Sequence, residues 1–270
     1  MKKYLATDLD GTLLYPRLKY TYVAKENINV INKFDGNTII VSGRNQSFVK
    51  KICKYLNIEE TYIACNGACV SHKGKIILTQ CIDTDLVNEI IDYVISNFDN
   101  YKIILFDTNG KLYSLSDNIE KVKQEEYEYN RQFPKISYKT NTNKSLIKKL
   151  LKQKQSIIKF TINLKDNKKI DLYNKLLEKN LPLSYAICKH ALEITAKNVT
   201  KGDALNYLTN HMKLDSNDVY VIGDDKNDLS MFTNYKNSFL INHGDNLDLS
   251  NNVKYVLNKF KDITQYIKEE

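Results

Sequence analysis

The sequence predicts an α/β protein: a doubly wound, Rossmann-like parallel-sheet core with a second α/β domain inserted into it. Three observations carry this. A short apolar run at 4–7 leads into a pair of aspartates, Asp8 and Asp10, and an Asp-Gly turn. Segments with helical spacing then alternate with short apolar runs over the first third of the chain. After about residue 79 the pattern changes and includes an Asn-Gly turn between two apolar runs, and the first pattern resumes near residue 203. Strands that alternate with helices need crossover connections, and crossovers give a parallel sheet covered on both faces.

Residues 4–7 read as the first strand. Side chains alternate along a strand, so Asp8 and Asp10 project to one side, Gly11 lets the chain turn away, and Leu13 and Leu14 re-enter an apolar layer. Val23, Asn27, Val30, Ile31 and Phe34 keep helical spacing, and residues 38–41 read as a second buried strand ending at Ser42-Gly43-Arg44. Phe48, Ile52 and Leu56, four apart, predict the next helix, and residues 62–65 a third strand closed by Asn66-Gly67.

Beyond residue 79 a helix is expected from Leu86, Ile90, Ile91 and Val94, followed by a hairpin of 102–106 and 111–115 joined through Thr108-Asn109-Gly110. Candidate segments at 146–151, 157–162, 170–177 and 185–188 fit a mixed or antiparallel sheet with helices on one face. The doubly wound pattern returns with a helix at 203–212 and strands at 219–222 and 239–241. The expected layout is core 1–81, inserted domain 82–190 and core 191–270.

Composition narrows the function classes. The chain has 270 residues and a net charge of +8, with its lysines scattered among many Asn, Ile and Tyr rather than gathered with aromatics into a binding stripe. That distribution argues against nucleic acid as a partner. Five cysteines, at 53, 65, 69, 81 and 188, are odd in number and mostly in apolar surroundings, so no disulfide framework is implied. Cys65 and Cys69 lack a second pair at zinc-site spacing, and His72, His190, His211 and His243 stand singly in the sequence. No eighteen apolar residues run together, and the N-terminus enters the first strand directly. The expectation is a cytoplasmic protein without a membrane partner, monomeric or weakly dimeric.

Chemistry concentrates at strand ends, where open α/β sheets bind ligands. Gly223-Asp224-Asp225-Lys226-Asn227-Asp228 puts three acids and an amide in one turn, a hard oxygen set suited to Mg²⁺. The rival reading is an acidic turn capping the helix that starts near Asn227. Ser42, with neighbouring backbone N–H groups such as that of Gly43, offers a seat for a phosphate oxygen, or alternatively a helix N-cap. Lys201 stands where a core helix begins and has the charge to neutralise a phosphate.

The order Asp-x-Asp-Gly-Thr-Leu-Leu, Ser-Gly-Arg, Thr-Lys-Gly and Gly-Asp-Asp-Lys-Asn-Asp resembles the haloacid dehalogenase superfamily, and more narrowly the Cof-type phosphatases, whose α/β cap lies between the second and third motifs. Asn66-Gly67-Ala68 and Leu192-Glu193-Ile194 are also similar to that subfamily. The resemblance implies a Mg²⁺-dependent phosphatase acting on a small phosphorylated metabolite. It makes Asp8 the nucleophile and Asp10 the general acid and base. Asp224, the Asp8 carboxylate and the Asp10 carbonyl would bind Mg²⁺, with Asp228 supporting the metal shell and Asp225 adjacent to it. Ser42, Gly43, Lys201 and Asn227 would hold the phosphate, and Asn66, Gly67 and Glu193 are the nearest substrate contacts. The same residues leave open a sugar-phosphate mutase or phosphotransferase, and a noncatalytic phosphometabolite-binding protein.

Overall fold

The computed structural model describes residues 2–17, 20–132, 138–188 and 191–267; His190 lies outside them. Contacts divide the chain into two compact units, Met1–Leu78 with Thr200–Glu270, and Thr79–Val199. Among the described residues no helix is long and apolar enough to cross a membrane.

The first unit is built on an eight-stranded sheet. Its order is Tyr255–Leu257, Asn237–Ile241, Val219–Gly223, Tyr4–Thr7, Thr38–Val41, Tyr62–Ala64, Cys69–His72 and Lys75–Thr79. The first six strands pair in parallel, with Ala6 opposite Val221 on one side and Ile39 on the other. Alternation along these strands fills two layers. Ala6, Ile39, Val41, Ile63, Val219 and Val221 pack against Ala204, Leu205, Leu208, Met231 and Phe232 from the helices Lys201–His211 and Leu229–Asn234. On the other face Phe34, Tyr220, Phe239 and Tyr255 run edge to ring, then ring on ring, across the strands.

The Asn66-Gly67 turn does more than close a parallel strand. Two further strands, Cys69–His72 and Lys75–Thr79, extend the sheet, the first pairing antiparallel with Ile63 opposite Val70. A short hairpin, Leu14–Arg17 with Tyr20–Val23, also follows the first strand without a sequence expectation. His72 and His211 do not stand alone: their rings meet edge to face at 5.2 Å.

The second unit carries a six-stranded sheet in the order Thr140–Asn141, Leu112–Ser116, Lys102–Asp107, Ile157–Asn163, Leu192–Ala196 and Leu183–Ile187, antiparallel except for the first pair. Ile103, Leu105, Phe160, Ile162, Leu192 and Ile194 form its apolar layer with Val87, Ile90, Ile91 and Val94 of the helix Thr84–Asn97 and Leu172 and Leu176 of Asp166–Glu178. The expected hairpin forms, its turn held by Asp107 Oδ1 accepting from the amides of Asn109 and Lys111 at 2.9 and 2.7 Å. The sequence boundary after residue 190 and the unit boundary at Thr200 differ by the strand Leu192–Ala196, whose Leu192 pairs with both Ile162 and Ile187 of the second sheet.

Candidate active site

Three neighbouring parallel strands of the first unit end at the residues the sequence singles out. Asp8 follows Tyr4–Thr7, Ser42 follows Thr38–Val41, and Asp224 follows Val219–Gly223. The ladder continues one residue beyond Thr7 and Val41 to Asp8 and Ser42, whose amides donate to Ile222 O at 3.0 Å and Ile63 O at 2.9 Å. That fixes the backbone from which both side chains leave. Lys201 is the first residue of the helix Lys201–His211, and the N-cap Thr200 accepts from the Asp203 amide at 3.0 Å.

Lys201 is 1 % exposed, and its ammonium donates to Asp8 Oδ1 at 2.6 Å, Asp228 Oδ1 at 2.7 Å and Asn227 Oδ1 at 3.2 Å. An ammonium has three donors, so each is used. Burial alone would push this ammonium down, but Asp228 and Asp8 more than reverse that and the net direction is up. Asp228, 0 % exposed, also accepts from the Asp224 and Asp225 amides through Oδ2 at 3.0 and 3.1 Å, which locks the turn around it. Burial holds Asp8 well above the usual carboxylate range; Lys201 opposes the shift, and Asp228, Asp224 and Asp10 add to it.

Asp224 is pushed up to about 7, by burial first and then by Asp228, with Thr12, Lys201 and His243 opposing. Its carboxylate accepts from Thr12 Oγ1 at 2.6 Å, and its backbone carbonyl accepts from Asn246 Nδ2 at 2.7 Å. Gly11 packs directly against it: at φ +85° a Cβ there would lie 2.2 Å from Asp224 Oδ2. Thr12 and Gly11 thus bring the loop after the first strand onto the loop after Val219–Gly223.

Asp10 takes another course. Its carboxylate accepts two hydrogen bonds from the Arg44 guanidinium, at 2.8 and 2.7 Å, and is 45 % exposed. Ser42 Oγ accepts from the Arg44 amide at 3.2 Å. The helix after Ser42 begins only at Gln46 and is capped by Asn45, so Ser42 and Gly43 lie ahead of the helix start rather than at it. Asp225 is exposed and caps the short turn Lys226–Asp228, so the capping reading holds for Asp225 while Asp224 and Asp228 turn toward Asp8. Asn66 Oδ1 accepts from Asn227 Nδ2 at 3.4 Å, and a Cβ on Gly67 would sit 2.3 Å from Thr200 O. Glu193 belongs to the second unit, where it pairs with the buried Lys159 at 2.7 Å.

Single oxygens of Asp8, Asp224 and Asp228 lie within 4.8 Å of one another. Three carboxylates then face one ammonium, and Asp8 and Asp224 are raised by burial first, with the neighbouring carboxylates adding to it. An all-oxygen, carboxylate-rich donor set of this kind fits a hard divalent cation, which would offset its negative charge. Sequence reasoning quoted Thr12 and Arg44 inside motifs without giving them roles, set His243 aside as a histidine standing singly, and left Asn246 without a role. The signal for these two is the Asn-His-Gly-Asp-Asn turn that follows the strand next to Val219–Gly223.

A family model described as haloacid dehalogenase-like hydrolase matches residues 5–264. The 5-amino-6-(5-phospho-D-ribitylamino)uracil phosphatase YwtE of Bacillus subtilis is 28% identical over 248 residues, covering 85% of this chain and 84% of that protein. Among solved structures, a haloacid dehalogenase-like hydrolase from B. subtilis superposes with a TM-score of 0.81 at 18% identity, covering 98% of this chain and 100% of the other. The subclass IIB sugar phosphatase BT4131 superposes at 0.77 with 17% identity, covering 98% of each.

Proposed function

This chain belongs to the haloacid dehalogenase-like hydrolases, and on that premise we propose that it is a Mg²⁺-dependent phosphatase of small phosphate monoesters working through an aspartyl phosphate on Asp8. The observation that carries the reading is the buried contact of Asp8 with Lys201, beside Asp224 and Asp228, at the carboxyl end of a parallel sheet.

When bound, the divalent cation supplies positive charge that offsets the carboxylates and the phosphoryl oxygens, with Asp8, Asp224 and Asp228 as the residues to hold it. The Asp8 carboxylate attacks phosphorus, and the bond from phosphorus to the ester oxygen breaks. Asp10 gives its proton to the departing alkoxide, then takes one from the water that attacks phosphorus, which releases phosphate and restores Asp8. Lys201, anchored by Asp228 and Asn227, keeps fixed positive charge beside Asp8 while charge moves onto the phosphoryl oxygens. Ser42, the backbone amide of Gly43 and Asn227 are the groups we assign to hold the phosphoryl oxygens. Arg44 donates to both Asp10 oxygens, so protonating the alkoxide requires Arg44 to release one of them.

The substrate is a phosphorylated sugar or a phosphorylated cofactor. The relative that acts on a phosphoribitylamino-uracil supports that class. Within the first unit, the Asn66-Gly67 turn is what we assign to contact its organic part; Glu193 is the candidate the second unit offers for substrate recognition. The test is phosphate release from p-nitrophenyl phosphate with Mg²⁺ and with EDTA, for the native protein and Asp8→Asn. Turnover by Asp8→Asn at the native rate, or native turnover unaffected by EDTA, refutes the reading.

A further inference from the structure

His243 lies on the turn after the strand Asn237–Ile241 and belongs to none of the motifs in which the sequence places chemistry. Its Nε2 is 2.8 Å from the carbonyl oxygen of Gly11 and 3.5 Å from Asp224 Oδ2. A carbonyl oxygen only accepts, so Nε2 carries the proton and donates to Gly11. Gly11 in turn is the residue whose close approach to Asp224 leaves no room for a Cβ. Three residues further along the same turn, Asn246 Nδ2 donates to both the Asp224 carbonyl at 2.7 Å and the Ile241 carbonyl at 2.8 Å. Gly11, Asp224 and the 242–246 turn therefore close a ring, with His243 as the tie between the first and the last.

We propose that His243 is a positioning residue of the cation site, holding the Gly11 main chain against Asp224 so that the carboxylate keeps the orientation in which a divalent cation binds; this rests on the reading of Asp8, Asp224 and Asp228 as a cation site. Its action is indirect. Thr12 holds the other oxygen of Asp224 from the same loop as Gly11, so a loop released at Gly11 also loosens the hydroxyl at Thr12. Groups that orient metal-binding side chains affect metal affinity strongly, typically by about 10–100-fold when removed.

The test is calorimetric titration of the metal-free full chain with Mg²⁺ for the native protein, His243→Ala and His243→Gln. Alanine removes the donor, and its Mg²⁺ dissociation constant should rise by about 10-fold or more. Glutamine keeps an N–H at similar reach and should recover most of that loss. Activity lost by His243→Ala at low Mg²⁺ should return on raising Mg²⁺. An alanine variant with native Mg²⁺ affinity overturns the proposal, and so does a glutamine variant as weak as alanine. With 37 % of its side chain exposed, His243 can be replaced with little effect on metal-free melting; a collapse of that melting would assign it to the fold instead and also overturn the proposal. If the native protein itself takes up no Mg²⁺, the cation-site reading fails, an outcome distinct from failure at His243 alone.

Discussion

Lys201 and Asp8 are 193 residues apart in the chain and 2.6 Å apart in space. The contact joins the first strand of the sheet to the start of the helix Lys201–His211, which opens the chain's second pass through the same unit. Two buried carboxylates, Asp8 and Asp228, pair with this one buried ammonium, so its removal should be felt in folding as well as in turnover.

Lys201→Met keeps most of the volume and removes the charge. Breaking a buried ion pair by deleting one partner costs about 3–5 kcal/mol. Denaturant unfolding in EDTA at pH 8 should show a loss of that order, shrinking toward acid pH as the orphaned carboxylates protonate. Phosphate release should fall below detection even at high Mg²⁺. A variant with native unfolding midpoints at pH 8 would show that Asp228 and Asp8 tolerate burial without it.

Asp8→Asn should separate catalysis from folding. The Asp8 carboxyl is held well above its usual range, chiefly by burial against the pull of Lys201. A raised carboxyl contributes stability at low pH and loses it as pH rises through the folded value. An amide has no such loss, so metal-free Asp8→Asn should melt at or above the native temperature at pH 8. The two should converge below about pH 4, where both side chains are neutral. Hydrolysis should vanish at every pH.

Mg²⁺ stabilisation should grow with pH. Asp224 moves from 3.8 to about 7, from burial first and Asp228 next. Its contribution to metal-free stability is complete below pH 3.8 and is lost as pH rises through 7, up to about 4 kcal/mol for a shift of this size. A cation binds the ionised carboxylate in competition with the proton. Melting curves from pH 5 to 8.5 should therefore diverge with pH between EDTA and saturating Mg²⁺, with half the change near pH 7. A gap independent of pH would remove Asp224 from the cation site.

Much of this geometry was legible because it is local. Asp8 and Asp10 sit on a strand end marked by Tyr4–Thr7, and the acid-rich turn sits on another marked by Val219–Gly223. Apolar runs and their terminating residues placed both without any tertiary information. The helix Ile119–Gln132 was not legible, since only Val122 along it is a buried hydrophobic and no stripe repeats through its charged residues. Neither was the strand Leu192–Ala196 as part of the second sheet, because one of its two partner strands, Ile157–Asn163, lies about 30 residues upstream and a five-residue segment carries no trace of that pairing. His243 and Asn246 escaped for a related reason: their partners, Gly11 and Asp224, are set by the order of strands in the sheet, not by spacing in the chain.

Asp10 and Arg44 form a bidentate pair with both side chains more than a third exposed. Exposed pairs contribute at most about 1 kcal/mol. Asp10→Asn should accordingly unfold within that margin of the native protein while its turnover falls by roughly 10²–10⁴, the usual worth of a positioned acid or base. Steady-state turnover and denaturant unfolding measured on one preparation decide it, and a large fall in stability would recast Asp10 as a structural residue.

Gly11→Ala and Gly36→Ala together isolate what the Gly11 contact does. Both glycines have positive φ, +85° and +78°, so alanine carries a similar backbone cost at each, about 1–2 kcal/mol. At Gly36 an added Cβ meets nothing within 4 Å, whereas at Gly11 it would fall 2.2 Å from Asp224 Oδ2 and 2.8 Å from its Cγ. Asp224 cannot simply rotate aside, since Thr12 holds its carboxylate and Asn246 its carbonyl. The expected outcome is a larger fall in unfolding free energy for Gly11→Ala than for Gly36→Ala, the excess coming from the contact with Asp224, with Mg²⁺ binding and phosphate release kept by Gly36→Ala and lost by Gly11→Ala. If Gly11→Ala retains native Mg²⁺ affinity by calorimetry, then Asp224 has room to move that this contact does not allow, and the loop after the first strand is not what orients it.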